Sequence, residues 1–244
     1  MGYILYLIAL IVFSCSNPMG KATYRIGIDP TWYSANFGEK EYYVTGFIED
    51  LLQEVSRLSN VSFEKIPTNR ENLLPNLRQR KVDGILYTLD PYNFNQEKYL
   101  FSDILLAIGP VLVVSAEEKV KTLQDLQSKI VGIASGSSYV SILEKYPTIV
   151  IATFDSYPFL LQALATSAIN GALLEAVPAI GYLQETFYKQ LKIIGEPLNN
   201  HAIRLITGKD LPSPLLHDFD AALKKLKKNM GYQKLLEKWQ LSLP

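Results

Sequence analysis

The chain has 244 residues, of which 24 are basic and 24 are acidic. This balance provides no positively charged surface for nucleic acid or an anionic membrane, and 48% apolar residues are typical of a globular protein rather than a disordered one. The single cysteine, Cys15, excludes a multi-cysteine zinc site and an internal disulfide bond within one chain. The length allows one large domain or two small lobes, and no repeat of about 20 to 50 residues is visible.

The N-terminal segment has the pattern of an export signal. Its apolar run at 4–13 is shorter than the roughly 20 residues that a membrane-spanning helix needs, and has the length of a signal-peptide core. Val12-Phe13-Ser14-Cys15 resembles the lipobox of bacterial lipoproteins, whose cysteine is lipidated and becomes the mature N-terminus. We therefore expect a lipoprotein signal peptide and lipobox at 1–15 and a tether at 16–21. An ordinary cleaved signal or a buried strand is the alternative, because Phe13 is bulky for a lipobox and no basic residue precedes the run.

Strand and helix patterns alternate in the next part of the chain. Alternating or continuous apolar residues predict strands at 24–28, 63–66 and 82–87. Apolar residues at helical spacing predict helices between these strands, at 47–58 and 73–80. The order β-α-β-α-β indicates a mostly parallel sheet that is covered by helices.

A second unit of the same kind follows. It contains a helical turn at 123–126, and Ser135-Gly136-Ser137-Ser138 opens a helix that extends to Leu143. Pro214 then begins a helix with lysines in its last turns, and 232–239 form a short final helix. The predicted strands of the second unit, and the strand that leads out of it, cover 130–134, 150–153, 171–174, 191–194 and 202–207.

Seven short stretches, taken together, resemble a known family. They are Gly46-Phe47-Ile48-Glu49-Asp50-Leu51, Lys81-Val82-Asp83-Gly84, Phe101-Ser102, Leu123-Gln124-Asp125-Leu126, Val131-Gly132-Ile133-Ala134-Ser135-Gly136-Ser137, Gly231-Tyr232 and Lys238-Trp239. In this order and spacing they resemble the polar amino-acid family of ABC-transporter periplasmic substrate-binding proteins, the receptors of glutamine-binding type (bacterial extracellular solute-binding protein family 3). The resemblance covers nearly all of residues 22–240.

The resemblance implies an α/β fold of two lobes, the type II periplasmic-binding-protein fold. Each lobe would be a mostly parallel sheet flanked by helices, and two crossover strands, near 109–113 and 201–203, would join the lobes. Lobe 1 would comprise 22–108 and 204–244, and lobe 2 would comprise 109–203. The ligand would bind in the cleft at the carboxyl ends of the strands, and the lobes would close around it by hinge bending.

The resemblance also implies the partners of the protein. We expect a small-molecule ligand, an amino acid or a related amine, and the permease of an ABC importer. We expect a monomer in the periplasm or cell envelope, attached to the membrane by the lipid on Cys15, with no cofactor, no metal and no nucleic acid.

A zwitterionic ligand needs an acid or other acceptors for its ammonium group. The resemblance assigns this role to Glu175, which directly follows the strand at 171–174, and Pro178 follows at the family spacing. It further points to Thr88 and Asp90, which follow the strand at 82–87. A glutamate at the start of a helix is also favourable without any ligand, because it interacts with the helix dipole.

The carboxylate of the ligand needs hydrogen-bond donors. The family supplies an arginine here, but ungapped counting places Asn95 at that position, and no arginine occurs between Arg80 and Arg204. An asparagine donates neutral hydrogen bonds that are about half as strong as charged ones. We expect the free N–H groups of Ser137 and Ser138, at the start of a helix, to contribute as well. Simple capping of that helix is compatible with this role.

The wall of the cleft should include an aromatic side chain. Trp32 or Tyr33 occupies the place where the family stacks an aromatic ring on the ligand, and Asp29 occupies the family's acidic position. Packing inside the lobe is the alternative for each ring.

Two other functions use the same scaffold. An enzyme resembling the periplasmic dehydratase of cyclohexadienyl compounds would use Glu175 and Asp90 as acid and base, although no additional catalytic group is evident. A ligand sensor without transport is the other alternative. Because an acid is present where the ammonium binds and an arginine is lost where the carboxylate binds, we predict a polar ligand with a cationic or amine-bearing portion.

Overall fold

The computed structural model describes residues 20–32, 35–210 and 214–243. The predicted lipobox and most of the predicted tether lie outside these residues, as does Tyr33. Among the described helices, none is both long and apolar enough to cross a membrane.

The described chain contains eleven strands and eight α-helices. The strands are β1 (Ala22–Ile28), β2 (Val61–Pro67), β3 (Gly84–Tyr87), β4 (Tyr99–Phe101), β5 (Leu106–Ala107), β6 (Pro110–Ser115), β7 (Ile130–Ala134), β8 (Val150–Phe154), β9 (Gly171–Glu175), β10 (Leu191–Ile194) and β11 (Ala202–Gly208). The helices are α1 (Glu41–Leu58), α2 (Arg70–Arg78), α3 (Asn93–Gln96), α4 (Val140–Leu143), α5 (Tyr157–Ala165), α6 (Ala176–Gln184), α7 (Leu215–Lys228) and α8 (Gly231–Lys238), with a 3-10 turn at Leu123–Leu126.

The strands form two sheets, which define two lobes. The first sheet has the order β2-β1-β3-β11-β4, with β5 also paired to β11, and the second has the order β10-β6-β9-β7-β8. We call the first sheet with α1–α3, α7 and α8 the first lobe, and the second sheet with α4–α6 the second lobe. In each sheet one strand is antiparallel to all the others: β11 in the first sheet and β6 in the second. The predicted α/β class with two mostly parallel sheets is confirmed.

The strand directions place two sets of loops at sheet edges. In the first sheet β1 is parallel to β2 and β3, with Ile28 opposite Pro67 and Leu86. In the second sheet β7 is parallel to β8 and β9. The segments that follow β1, β2 and β3 therefore share one edge, and those that follow β7, β8 and β9 share another. This is where open α/β sheets bind ligands.

The chain passes between the sheets after Ile108 and again between β10 and β11. The run that forms β6 is almost continuously buried, because it lies between β9 and β10 inside the second sheet. Most of the predicted crossover at 109–113 is thus part of that sheet. Ala202 and Ile203, which the predicted boundary at residue 204 assigns to lobe 2, pair with β5 of the first sheet.

Apolar stripes on the helices cover the sheets. On α1, Phe47, Leu51 and Val55 are fully buried, and they belong to a core that α1 shares with α7 and α8. Leu73 and Leu77 of α2 pack on the opposite face of the first sheet. These residues have the three- and four-residue spacing of an amphipathic helix, which is why this spacing predicts the helices from sequence.

The lobes touch where the loop before α1 meets α6. Lys40 is only 6% exposed, and its Nζ donates to Glu185 Oε1 at 2.8 Å. The aliphatic part of Lys40 lies over Gly181, where an added Cβ would be 2.9 Å from Lys40 Cε. Next to this contact, Gly38 (φ 56°) faces Pro178, whose Cβ would lie 3.1 Å from an added Cβ. Glycine at these two positions allows the loop and the helix to approach closely.

Candidate functional site

A polar cavity of about 530 Å³ lies at the carboxyl ends of β7, β8 and β9 in the second lobe. The segments after β7 and β8 and the last residue of β9 form most of its wall, and Asn36 of the first lobe contributes from the other side. The described lining residues are Asn36, Ala134, Ser135, Gly136, Ser137, Ser138, Tyr139, Asp155, Ser156, Tyr157 and Glu175.

Glu175 has the most unusual surroundings in this cavity. It ends β9 and occupies the N-cap position of α6, so its side chain leaves the sheet at the cavity wall. Its Oε2 atom is buried and has no hydrogen-bond partner among the described residues. Buried carboxylate oxygens nearly always have a partner, so this oxygen is an acceptor whose donor is not among the described residues.

Tyr139 lies beside Glu175. Burial raises the pKa of the Tyr139 hydroxyl above its usual range, and the charge of Glu175 and a hydrogen bond to its side chain raise the pKa further. The hydroxyl therefore stays protonated at neutral pH and donates to the carboxylate. This contact orients the Glu175 side chain in the cavity.

Asp155 gives the cavity a second carboxylate. It follows β8 as Glu175 ends β9, and no lysine or arginine is present among the described lining residues. Two acids without a basic neighbour favour the binding of a ligand with a cationic group. Four lining residues were not predicted from the sequence: Asn36, Tyr139, Asp155 and Tyr157. The position of Asp155 two residues after the strand predicted at 150–153 was the signal that could have identified it.

Ser137 and Ser138 line the same cavity, but the prediction of a free N–H group needs correction for Ser137. The N–H group of Ser137 donates to the Ala134 carbonyl at 3.1 Å, and its Oγ accepts from Tyr139 N at 3.2 Å. The Ser137 N–H is therefore not free. The helix that was expected to extend from this segment to Leu143 is reduced to the four residues of α4, so it provides no substantial dipole.

In the first lobe, Asp29 follows β1 and Thr88 follows β3, and neither is among the described residues that line this cavity. Asp29 is 5% exposed; its Oδ1 accepts from the Thr31 N–H at 3.0 Å and hydroxyl at 2.6 Å. Its Oδ2, like Glu175 Oε2, is buried without a partner among the described residues. Thr88 is 7% exposed at the equivalent end of β3. Each lobe therefore holds one buried carboxylate oxygen that lacks a donor.

Trp32 packs inside the first lobe. It is 3% exposed, its ring lies edge-on to Phe37 with 6.0 Å between centroids, and its Nε1 donates to Thr45 Oγ1 at 3.0 Å. The ring that we expected to stack on the ligand is thus part of the core that supports the Asp29 loop. Tyr33, the alternative, is outside the described residues.

Asp90 and Asn95 belong to the segment between β3 and β4, beside the second crossover, and Asn95 lies in α3. Asp90 Oδ1 lies 2.8 Å from Nδ1 of His201, and the two residues line a different cavity of about 290 Å³. Asn95 is buried, and its Nδ2 donates to the Asp90 backbone carbonyl at 2.8 Å. The side-chain donor of Asn95 was predicted to meet the carboxylate of the ligand. Instead, it stabilises the segment in which Asn95 lies, by bonding to the Asp90 carbonyl.

No group of three or more His, Cys, Asp or Glu side chains is placed to hold a metal ion in the part of the chain that the structure describes.

Comparisons with known proteins agree with this architecture. The sequence model of bacterial extracellular solute-binding proteins, family 3, matches residues 24–242. The L-cystine-binding protein TcyJ of Escherichia coli (strain K12) is 24% identical over 224 residues, which cover 90% of this chain and 83% of that protein. The histidine-binding periplasmic protein of the same strain is also 24% identical over 224 residues, with 88% and 86% coverage.

Among solved structures, the unliganded open L-cystine solute receptor of Neisseria gonorrhoeae has a TM-score of 0.73 at 18% identity, and the match covers 91% of this chain and 94% of that one. Substrate-binding domain 2 of Lactococcus lactis GlnP has a TM-score of 0.68 at 17% identity, with 93% and 99% coverage. The fold is the two-lobe type II periplasmic-binding-protein fold.

Proposed function

The chain belongs to the bacterial extracellular solute-binding proteins of family 3, and we propose that it is the receptor of an ABC importer that binds an amino acid or another amine-bearing polar molecule between its lobes. The observation that carries this proposal is the buried Oε2 of Glu175, which lacks a donor and lies at the carboxyl ends of three parallel strands. The relatives named above are binding proteins, and we propose the same class, rather than an enzyme, for this chain.

The charge of the cavity favours an ammonium group as the missing donor. An ammonium has three N–H donors, and a buried carboxylate is stabilised by a positively charged, hydrogen-bonded partner. Glu175 and Asp155 supply negative charge, and Tyr139 orients Glu175. Asp29 Oδ2, at the edge of the other sheet, is the acceptor that the first lobe offers to the ligand.

Closure of the lobes explains why the candidate residues are divided between two sheet edges. Glu175 lies in the second lobe, and Asp29 and Thr88 lie in the first. A ligand that contacts both groups stabilises the arrangement in which they face each other, so binding shifts the protein toward the closed state. The two passages between the sheets are the segments where the hinge rotation takes place.

The test is calorimetry of the wild type and Glu175→Gln against amino acids, amines and short peptides. Hydrogen bonds to charged groups contribute about 1.5–3 kcal/mol, so we expect Glu175→Gln to weaken binding about 10- to 100-fold. Glu144→Gln is the matched control, because it removes an exposed acid of the same lobe and should leave affinity unchanged.

Two results would contradict the proposal. One is tight binding of an acidic amino acid that does not depend on Glu175. The other is turnover of a prephenate- or arogenate-like compound by the purified protein, which would favour the enzyme. A wild-type protein that binds no member of the panel would favour a role without this ligand class.

We further propose that the protein is exported and tethered through a lipid on Cys15, which places it in the cell envelope. Its support is the Val12-Phe13-Ser14-Cys15 motif after an apolar run. Mass spectrometry of the mature N-terminus should find lipid on Cys15, and Cys15→Ala should release the protein from the membrane fraction. An unmodified N-terminus elsewhere would indicate an ordinary cleaved signal.

A further inference from the structure

The segment that follows α8 leaves the first lobe and contacts the second. We propose that residues 239–243 form a strap that restrains the rotation of the two lobes, in addition to the two passages of the chain between the sheets. This inference goes beyond the proposed function, because it does not depend on the ligand that the protein binds.

The end of α8 turns the strap back along the helix. Gln240 follows the C-cap residue Trp239 and has a left-handed backbone conformation, with φ 53°. The Gln240 N–H donates to the Glu237 carbonyl at 3.1 Å. The Leu241 N–H donates to the Leu236 carbonyl at 2.8 Å. These two bonds form a Schellman motif, which ends a helix and places an apolar residue beside its last turn.

The strap has an apolar anchor in each lobe. Leu241 is 2% exposed and belongs to the core of the first lobe. Leu243 packs against the core of the second lobe, the cluster that includes Ala176 and Ile180 of α6. Both anchors bury apolar surface, which stabilises the arrangement of the lobes in which both contacts are made.

Helix α6 makes the reciprocal contact. Its Val177 is 1% exposed and belongs to the core of the first lobe, whereas its Ala176 and Ile180 belong to the core of the second. The helix also begins directly after Glu175. A rotation of one lobe against the other therefore has to change the contacts of α6 with the strap or with the first-lobe core, and α6 connects this region to the acid at the cavity.

A second cavity, of about 370 Å³, lies between the strap and α6. Its walls are mostly apolar, and they include Leu106 and Ala107 of β5 and Glu196 and Pro197, which lie between β10 and β11. Protein interiors are usually close-packed, with few voids larger than a water molecule. A space of this size beside both passages of the chain allows the two lobes to move relative to each other, and the strap spans it.

The experiment measures the distance between the lobes without any ligand. Nitroxide labels are attached to cysteines at two exposed acids, Glu71 of the first lobe and Glu144 of the second, in the full chain with Cys15→Ala. Double electron–electron resonance then gives the distribution of the distance between the labels. Circular dichroism and the thermal midpoint check that each protein is folded.

The variants separate the strap from general packing. Leu243→Ser removes the anchor in the second lobe. Leu235→Ser is the matched control, because Leu235 is also half-buried, lies in α8 and packs against the core of the first lobe. Leu243→Ala makes the same comparison with a smaller change, should the serine variant not fold.

We expect Leu243→Ser to broaden the distribution, with the wild-type distance about 3- to 10-fold less populated relative to the others, because part of the burial of a leucine side chain is lost. Leu235→Ser should lower the thermal midpoint and leave the distribution as in the wild type. An unchanged distribution in the Leu243 variants, or equal broadening in Leu235→Ser, would overturn the strap.

Discussion

At the scale of single residues, Asp220 of α7 links protonation to stability. Burial raises the pKa of Asp220 to about 6, and the charge of Asp103 contributes in the same direction, although the Asp103 N–H donates to Asp220 Oδ1 at 2.9 Å. Lys227 and Arg204 partly offset the shift. The folded state therefore retains a proton between pH 3.8 and about 6 that the unfolded state has lost.

We predict that stability falls as the pH rises through this interval and that Asp220→Asn removes much of the fall. An amide oxygen can still accept the Asp103 N–H, and the cost of ionising a half-buried carboxyl disappears. The variant should be more stable than the wild type by about 1–2 kcal/mol at pH 7.5 and by less at pH 4.5, as measured by urea unfolding. Asp210→Asn, which removes an exposed acid, should change stability little at either pH. A variant that is less stable at pH 7.5 would contradict the prediction.

Single-residue roles were the hardest feature to predict from the sequence. The position of Glu175 at the cavity was predictable, because an acid directly after a predicted apolar strand lies at the edge where open α/β sheets bind ligands. Asn95 was not, because one sequence does not distinguish an amide that reaches a cleft from one that bonds to a carbonyl five residues earlier. Trp32 was assigned to the wall, but its ring is buried against Phe37, and only the three-dimensional packing shows this.

At the scale of elements, the contact between α1 and α8 depends on Gly46. An added Cβ at Gly46 would lie 2.1 Å from Cη2 of Trp239, so the ring packs directly on the backbone of α1. The same ring donates from Nε1 to Asp50 Oδ2 at 2.7 Å, one turn further along α1. These two contacts attach the last helix to the first.

We predict that Gly46→Ala destabilises the protein, although alanine is the better helix former by about 1 kcal/mol. The methyl group has to displace a large ring that is held by a hydrogen bond, and overpacking of this kind costs about 1–3 kcal/mol. Urea unfolding would measure the loss. The double variant Gly46→Ala with Trp239→Leu is the control, because the methyl group should cost less once the ring is absent. A stabilised Gly46→Ala protein would show that the ring moves freely.

The helices α1, α2 and α7 and strands such as β1 and β7 were predictable because their apolar residues repeat with a helix or strand period, but α5 and α6 were not predicted. Among the short elements, α3, β4 and β5 were missed, because so few residues rarely show a period. The helix after Ser138 was predicted too long for a related reason. Small polar residues indicate where a helix can begin, but tertiary packing decides how far it extends.

At the scale of the whole molecule, Lys40 and Glu185 join the lobes on one side. The ammonium of Lys40 lies 4.6 Å from the Tyr43 ring centroid and 2.8 Å from Glu185 Oε1, and its side chain is only 8% exposed. Glu185 itself is 68% exposed, so water screens one end of the pair. A buried cation next to an exposed anion depends on that anion more than an exposed pair does.

We predict that Glu185→Gln lowers the free energy of unfolding by about 1 kcal/mol, because it leaves the Lys40 ammonium without its counter-charge. Glu54→Gln is the matched control; it breaks the exposed pair with Arg57 and should cost less than about 0.5 kcal/mol. Chemical denaturation of both variants would measure the difference. Equal losses would show that Lys40 is as well hydrated as a surface lysine.

The placement of β11 between β3 and β4 has a consequence for the order in which the protein folds. The second sheet is formed by one continuous segment, from β6 to β10. The first sheet is incomplete without β11, which lies between β3 and β4 but follows β4 in the sequence by about 100 residues. Pairings between distant segments form slowly, and a chain released N-terminus first presents all of the second lobe before β11. The second lobe should therefore fold first, and the first lobe becomes complete only when almost the whole chain is available.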